Sequence, residues 1–371
     1  MYYKRLLVSN VRNLEPLDLT FSPSVNVICG LNGSGKTSFL ESLSILSSGK
    51  SFRSHLTTPV IAREHKAATV FGEASDGNTL YKIGVEKSIG KGSSIRLNQK
   101  PLQNNSALAR LIPLLVIDHQ SFELLTGGSK FRRSLLDWLV FHVEQNFHVN
   151  WLSYREVLKQ RNALLKLKET QARDVNIWAP QLSDFGEKIT GYRAKVFEVL
   201  ATQLNELSTH EKDFELDFRF DQGWKHDQSL KECLLESFDQ DRRYQTTKKG
   251  PHRADLLFTT GGKKVTDVLS RGQLKTVVCR FFLALANCYK DIFGNAPIIL
   301  IDDLPAELDK NRAKILLRQF LNLGSQLFVT GVDLPYFSDI IATEQNIKVF
   351  HVEHGIFKEL EKDSAINLAA V

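Results

Sequence analysis

The stretch that decides the fold is GLNGSGKT at residues 30–37. It satisfies the spacing G-x-x-x-x-G-K-[ST] at Gly30, Gly35, Lys36 and Thr37. An apolar run, VNVIC at 25–29, precedes it, and Phe39, Leu40, Leu43 and Leu46 follow at helical spacing. Strand, glycine turn and helix in that order aim backbone N–H groups and the positive end of a helix dipole at one anion. Lys36 is then placed to reach β- and γ-phosphates, and the Thr37 hydroxyl to ligate Mg²⁺.

Such a site needs a carboxylate delivered by a second buried strand. PIILIDD at 297–303 supplies one, with an apolar run ending in Asp302, placed to hold Mg²⁺ through water. Asp303 follows and is a candidate to orient or deprotonate an attacking water.

The chain has 371 residues, 42% hydrophobic and 24% charged, which predicts a globular protein of two domains or one domain split by an insertion. Its net charge of +6 favours a polyanionic partner. Cys29, Cys233, Cys279 and Cys288 lack metal-ligand spacing and read as buried free thiols of a reducing cytosol. The N-terminal residues carry no secretory pattern, and FFLALANCY at 281–289 is too short to span a bilayer. A cytoplasmic protein with no membrane partner is expected.

Short strands dominate the first hundred residues, with a hairpin through SDGN and a buried strand at LLVID, 114–118. Helix takes over from about 132 to 212, where Leu182, Phe185, Ile189, Tyr192, Val196, Leu200, Leu204 and Leu207 form one apolar stripe behind Pro180. Strands return with FELDFRF at 214–220 and with a hairpin through Gly261 and Gly262. Strand and helix then alternate through IILIDD, a helix near 309–322, SQLFVTG and KVFHVEHG, which argues for an α/β sheet. The expected division is a head's N-terminal lobe at 1–125, an inserted helical arm at 126–212 and the rest of the head at 213–371.

VLSRGQLK at 268–275 lies where another helix should begin. Ser270 is a good N-cap and Gln273 can close a capping box. The local pattern does not explain the series in which this loop sits: glycine loop, helical insertion, LSRGQ, paired acids, then AELD ending in Asp309. That series resembles the head domain of ABC-type ATPases, a P-loop sheet built here from both ends of the chain. In such heads the resemblance implies that the signature, here Ser270, Gly272 and Gln273, grips the nucleotide of the opposite protomer.

KKGPHRADL (248–256), GGSKFRRSLLDWLVFHVEQNF (127–147), GKSFRS (49–54) and the first forty residues narrow the resemblance. They are similar to the RecF family of bacterial recombinational-repair ATPases, SMC-like heads without the long coiled coil. The resemblance implies an ATP-dependent homodimer that binds double-stranded and gapped DNA, with single-stranded DNA as a further ligand. It implies slow ATP hydrolysis, partnership with RecO and RecR in loading recombinase at gaps, and roles in replication restart and the SOS response. Carried over by position, Gly30, Leu31, Asn32, Gly33, Ser34, Gly35, Lys36, Thr37 and Ser38 bind phosphate. Asp302 and Thr37 serve Mg²⁺, Lys36 and Asp303 are catalytic, and Asp309 joins the signature at the nucleotide.

Three positions depart from most ABC heads: Asp303 stands where Glu is usual, Val332 and Asp333 stand where a His is usual, and Arg271 replaces the first Gly of LSGGQ. The shorter acid predicts slow turnover. Gln120 is a candidate magnesium-linked glutamine. Two basic windows are candidates for DNA phosphates, Lys82–Lys100 (Lys82, Lys87, Lys91, Arg96, Lys100) and Asp241–Arg253 (Arg242, Arg243, Lys248, Lys249, Arg253). His252, Arg253 and Asp255 are expected to brace the nucleotide interface. The alternatives are a soluble ABC transporter motor subunit, or a DNA scaffold glued by ATP with negligible turnover.

Overall fold

The computed structural model of the chain describes residues 1–54, 56–90, 92–209 and 215–369. They divide into two compact units: a head of residues 1–122 and 275–371, and an arm of residues 123–274.

Two six-stranded sheets build the head. One is an antiparallel meander in which Tyr2–Ser9 pairs with Leu17–Thr20 on one side and Ala67–Ser75 on the other, continuing through Leu80–Ser88 and Gly92–Leu97. In the other, Leu114–Ile117, Ile298–Ile301, Leu327–Gly331, Val25–Cys29 and Ile347–Glu353 run parallel in that spatial order, and Ile356–Leu360 closes the edge antiparallel. The strands Val25–Cys29, Ile298–Ile301 and Leu327–Gly331 are wholly buried, as mainly apolar strands inside a parallel sheet should be, with Asn26 and Thr330 buried among their apolar neighbours. The helix Lys36–Ser48 contacts strands of both sheets, and all of its residues except Thr37 and Ser48 are buried. Its apolar stripe is therefore not its only inner face; Ser42 and Ser47 turn their hydroxyls back onto the Ser38 and Ser44 carbonyls.

Three long helices, Ser129–Val143, Phe147–Leu165 and Ala179–Thr209, make the body of the arm. Pro180 falls in the first turn of the last of these, and the short helix Ala172–Asn176 lies between it and Phe147–Leu165. A three-stranded antiparallel sheet, Lys263–Lys264, Asp255–Thr260 and Asp217–Asp221, belongs to this same unit. The sequence placed residues 213–274 with the head, whereas here they group with the helices. Arg132 clasps Asp255 through two bonds of 2.7 and 2.9 Å, Arg133 donates to the Ala254 carbonyl, and Phe197 meets Phe220. The expected strand FELDFRF is observed as Asp217–Asp221; Phe214 lies outside the described residues. The four cysteines are thiols outside any disulfide, three of them buried and Cys279 half-buried. No described helix is long and apolar enough to cross a membrane.

Candidate nucleotide site

The glycine loop leaves the C-terminal end of the central strand Val25–Cys29, where ligands of open parallel sheets bind. Two of its glycines are required by geometry. A Cβ on Gly30 would stand 2.2 Å from the Val352 carbonyl oxygen, because the strand Ile347–Glu353 runs alongside. Gly35 holds φ at +119°, a conformation that L side chains rarely adopt. Gly35 also leaves the helix Lys36–Ser48 without a side-chain cap, so its first N–H groups remain open to a ligand.

Lys36 folds over this loop, its ammonium donating to the carbonyls of Gly30 at 2.6 Å and Leu31 at 3.0 Å. Burial lowers the Lys36 pKa, and Asp303 and Asp302 oppose that shift. The Ser34 hydroxyl is buried with no hydrogen-bond partner among the described residues. Thr37 Oγ1 donates to Asp302 at 2.8 Å (Oδ2), joining glycine loop to acid strand across 265 residues.

Burial raises the Asp302 pKa, with Asp303 and Asp118 adding to the effect, while hydrogen bonds from Thr330 and Thr37 work against it. These residues fit a nucleotide with its Mg²⁺. The uncapped helix, the orphaned Ser34 hydroxyl and Lys36 all offer donors to phosphate, and a cation beside Asp302 would relieve the crowding of three carboxyls. Among the described residues no three His, Cys, Asp or Glu side chains cluster as a metal site. A Mg²⁺ here would complete its shell with phosphate oxygens and water, as this ion commonly does.

Two polar residues of the site escaped the sequence reading. Thr330, fully buried in the strand Leu327–Gly331, donates to Asp302 Oδ1 and accepts the Asp303 N–H, both at 2.8 Å. A threonine inside the apolar run LFVTG was the only local sign of it. Asn13 bonds the Gly33 carbonyl at 2.9 Å and receives the Ser38 hydroxyl at 2.8 Å. Beside it, Arg12 grips the fully buried Glu41 through two bonds of 2.8 Å.

Asp303 sits in the left-handed region (φ +47°) at the start of the helix Leu304–Glu307, half-buried next to Asp302. Asp309 caps the helix Lys310–Asn322 by accepting the Arg312 N–H. Between them Glu307 bonds both His119 at 3.0 Å and Lys275 at 3.3 Å, tying the loop after Leu114–Ile117 to AELD and to the helix Arg271–Phe293. Gln120 and Asp333 are exposed. Leu31, Asn32 and Gly33 form the loop's exposed crest.

In the arm, the predicted capping box is present. Gln273 accepts the Ser270 N–H at 2.9 Å, and Ser270 Oγ accepts the Gln273 N–H at 3.3 Å. Ser270 and Arg271 are exposed, Gly272 partly buried. The Ser270 hydroxyl acts as acceptor in the cap, which leaves its own proton for another acceptor.

A model of the RecF/RecN/SMC N-terminal domain matches residues 2–358. The chain belongs to this family. It is 37% identical over 360 residues to the DNA replication and repair protein RecF of Saccharophagus degradans, covering 95% of this chain and 98% of that one. The Psychromonas ingrahamii protein of the same name is 36% identical over 357 residues, covering 96% and 99%. Among solved structures, the recombination mediator protein RecF with ATP is 26% identical with a TM-score of 0.85, covering 97% and 98%. An Smc head bound to the winged-helix domain of ScpA shares the fold at 14% identity and a TM-score of 0.59, covering 97% of each chain. The head is thus of the ABC ATPase type shared by RecF and SMC proteins.

Outside the nucleotide site, several sequence expectations are revised. Lys87 is no phosphate contact of the first basic window: it is buried and donates to the Gly49 carbonyl and Ser93. Lys82, Arg96 and Lys100 are exposed, and Lys91 lies outside the described residues. His252, Arg253 and Asp255 brace the arm internally. His252 bonds Tyr154 at 2.6 Å and the Thr247 carbonyl, Arg253 bonds that same carbonyl, and Asp255 holds Arg132.

Proposed function

We propose that this protein is an ATP-dependent DNA-binding ATPase of recombinational repair and replication restart. ATP drives it into a homodimer on double-stranded and gapped DNA, and slow hydrolysis releases it. The observation that carries the reading is the meeting of Thr37 with Asp302 at 2.8 Å beside an uncapped helix and a buried lysine. It is supported by the relatives' name, DNA replication and repair protein RecF, and by the RecF structure with ATP.

In this reading the residues Gly30–Ser38 cradle the phosphates, Lys36 lies against the β- and γ-phosphates, and Thr37 and Asp302 hold Mg²⁺. Asp303 positions the attacking water, and Asp309 approaches the nucleotide across the dimer. Ser270, Gly272 and Gln273 reach the nucleotide of the second protomer, so a symmetric dimer has two composite sites. RecR and RecO are the mediator partners, in the cytoplasm. The exposed Ser270 and the proton left by its cap support the contact in trans.

Light scattering with and without Mg·ATP, on the wild type and on Ser270→Arg, tests this. ATP is expected to double the wild-type molar mass, while the variant binds ATP and stays monomeric. Identical behaviour of the two proteins would reduce Ser270 to a helix cap and remove the clamp mechanism.

A further inference from the structure

We infer that the outer face of the helix Phe147–Leu165, continued by the segment 242–248, is a track for a single strand of DNA. The inference rests on the DNA-binding reading above and gives that ligand a place on the arm. Arg155, Lys159 and Lys166 stand exposed along one side of the helix, with Asn162 and the short Ala163 between them, forming one open surface patch. At 1.5 Å per residue, Arg155 and Lys166 are about 16 Å apart along the axis, enough to follow several backbone phosphates. The inner side of the same helix is packed through Tyr154, Val157, Arg161 and Leu165.

Two sequence-distant segments form this surface. Asn162 Oδ1 accepts both the N–H and the hydroxyl of Thr247 at 2.8 Å, and Arg242 donates to the Lys168 carbonyl at 3.2 Å. Asp241, the acid that would offset the basic window, is fully buried against Arg161 at 2.7 Å, and exposed Glu156 is engaged by Gln160. Three residues before Thr247 in the chain, the Tyr244 ring is 54% exposed, with the Lys248 ammonium 4.2 Å and the Arg243 guanidinium 5.9 Å from its centre.

A row of exposed cations joined to a segment that carries an exposed aromatic ring matches a single strand, whose phosphates follow the charges and whose bases have free faces to stack. A duplex keeps those faces inside its own stack. Base stacking on tyrosine outweighs an exposed cation–π pair, so an incoming base would displace Lys248 toward the phosphate. An acidic protein segment would use the lysines but would have no need of the Tyr244 ring.

The test is anisotropy of a labelled 30-nucleotide thymidine strand and of a duplex of equal length. Each is titrated with full-length protein and Mg·ATP across a salt series. The variants are K159Q/K166Q and Tyr244→Leu, with ATP binding as the check on folding. The double variant should bind the single strand roughly tenfold more weakly and flatten the log K against log salt slope by about 1.4. Tyr244→Leu should weaken the single strand about fivefold or more with the slope unchanged. Duplex affinity should stay within about twofold for both. Wild-type single-strand affinity in both variants, or equal loss for duplex and single strand, overturns the track. A wild type that binds duplex but no single strand also overturns it and leaves the DNA reading standing. Binding of neither by the wild type overturns both.

Discussion

In the arm, Arg161 and Arg193 are fully buried and each faces a carboxylate at 2.7 Å, Asp241 and Asp137. In the head, buried Lys36 faces two loop carbonyls, Asp302 is crowded by Asp303 and Asp118, and the Ser34 hydroxyl has no partner. An ion pair that is broken in a protein interior costs more than the pair ever contributed, so the arm's charges hold its helices and strands in one arrangement. In the reading proposed above, the head's charges are matched to a bound nucleotide. On that reading the first region is organised for its own shape and the second for a ligand, and removing a charge should act differently in the two.

The largest effect is expected at Lys36. Lys36→Met should cut single-turnover hydrolysis of labelled ATP about 10²–10³-fold or more and abolish the rise in Tm that Mg·ATP produces, while the ligand-free protein unfolds much as the wild type does. A substantial loss of ligand-free stability would mean that this lysine is structural, and the contrast with the arm would collapse.

Asp241→Ala leaves the Arg161 guanidinium buried without its carboxylate, and urea unfolding should report a loss of about 3–5 kcal/mol. ATP binding by the folded fraction should be retained. A loss below about 1 kcal/mol would show that water reaches the pair.

A smaller effect follows from His252, whose pKa burial pushes down from 6.5 to about 4. An unfolded chain binds this proton more readily than the folded one. This contribution to the arm's stability is therefore full above pH 6.5 and falls as the pH drops through 4, by about 3 kcal/mol in all. His252→Gln should flatten that part of the stability profile, and an unaltered profile would assign the acid sensitivity elsewhere.

The smallest shift sharpens the contrast most. Because the Asp302 pKa is raised, its ionised form weighs against the fold at neutral pH. Asp302→Asn keeps an acceptor for Thr37 and Thr330 and removes the crowded charge, so the ligand-free Tm should rise, by about 1 kcal/mol of stability. Stabilisation by Mg·ATP should disappear in the same protein. A ligand-free Tm lower than wild type would contradict the view that the head's charges are held ready for a ligand.

Much of the head was legible because its signals are local. A strand, a glycine turn and a helix follow one another directly between Val25 and Ser48, and IILI followed by two acids names a buried strand and its terminal carboxylate. Lys87 was misread because exposure is not local: its strand alternates, and residue 87 falls on the inner face with Ile83 and Val85. Thr330 was overlooked because its role exists only once Leu327–Gly331 lies beside Ile298–Ile301.

By itself the sequence determined the glycine loop between strand and helix, the acid strand, the capping box at Ser270 and the long helices of the arm, all of which depend on neighbours a few residues apart. Only the tertiary structure decided that Thr37 meets Asp302, that Gly30 must lack a side chain beside Val352, and that residues 213–274 join the arm rather than the head. Those outcomes depend on contacts made across tens to hundreds of residues. There a single strand pairing or a buried ion pair such as Arg132–Asp255 overrides anything the local pattern can express.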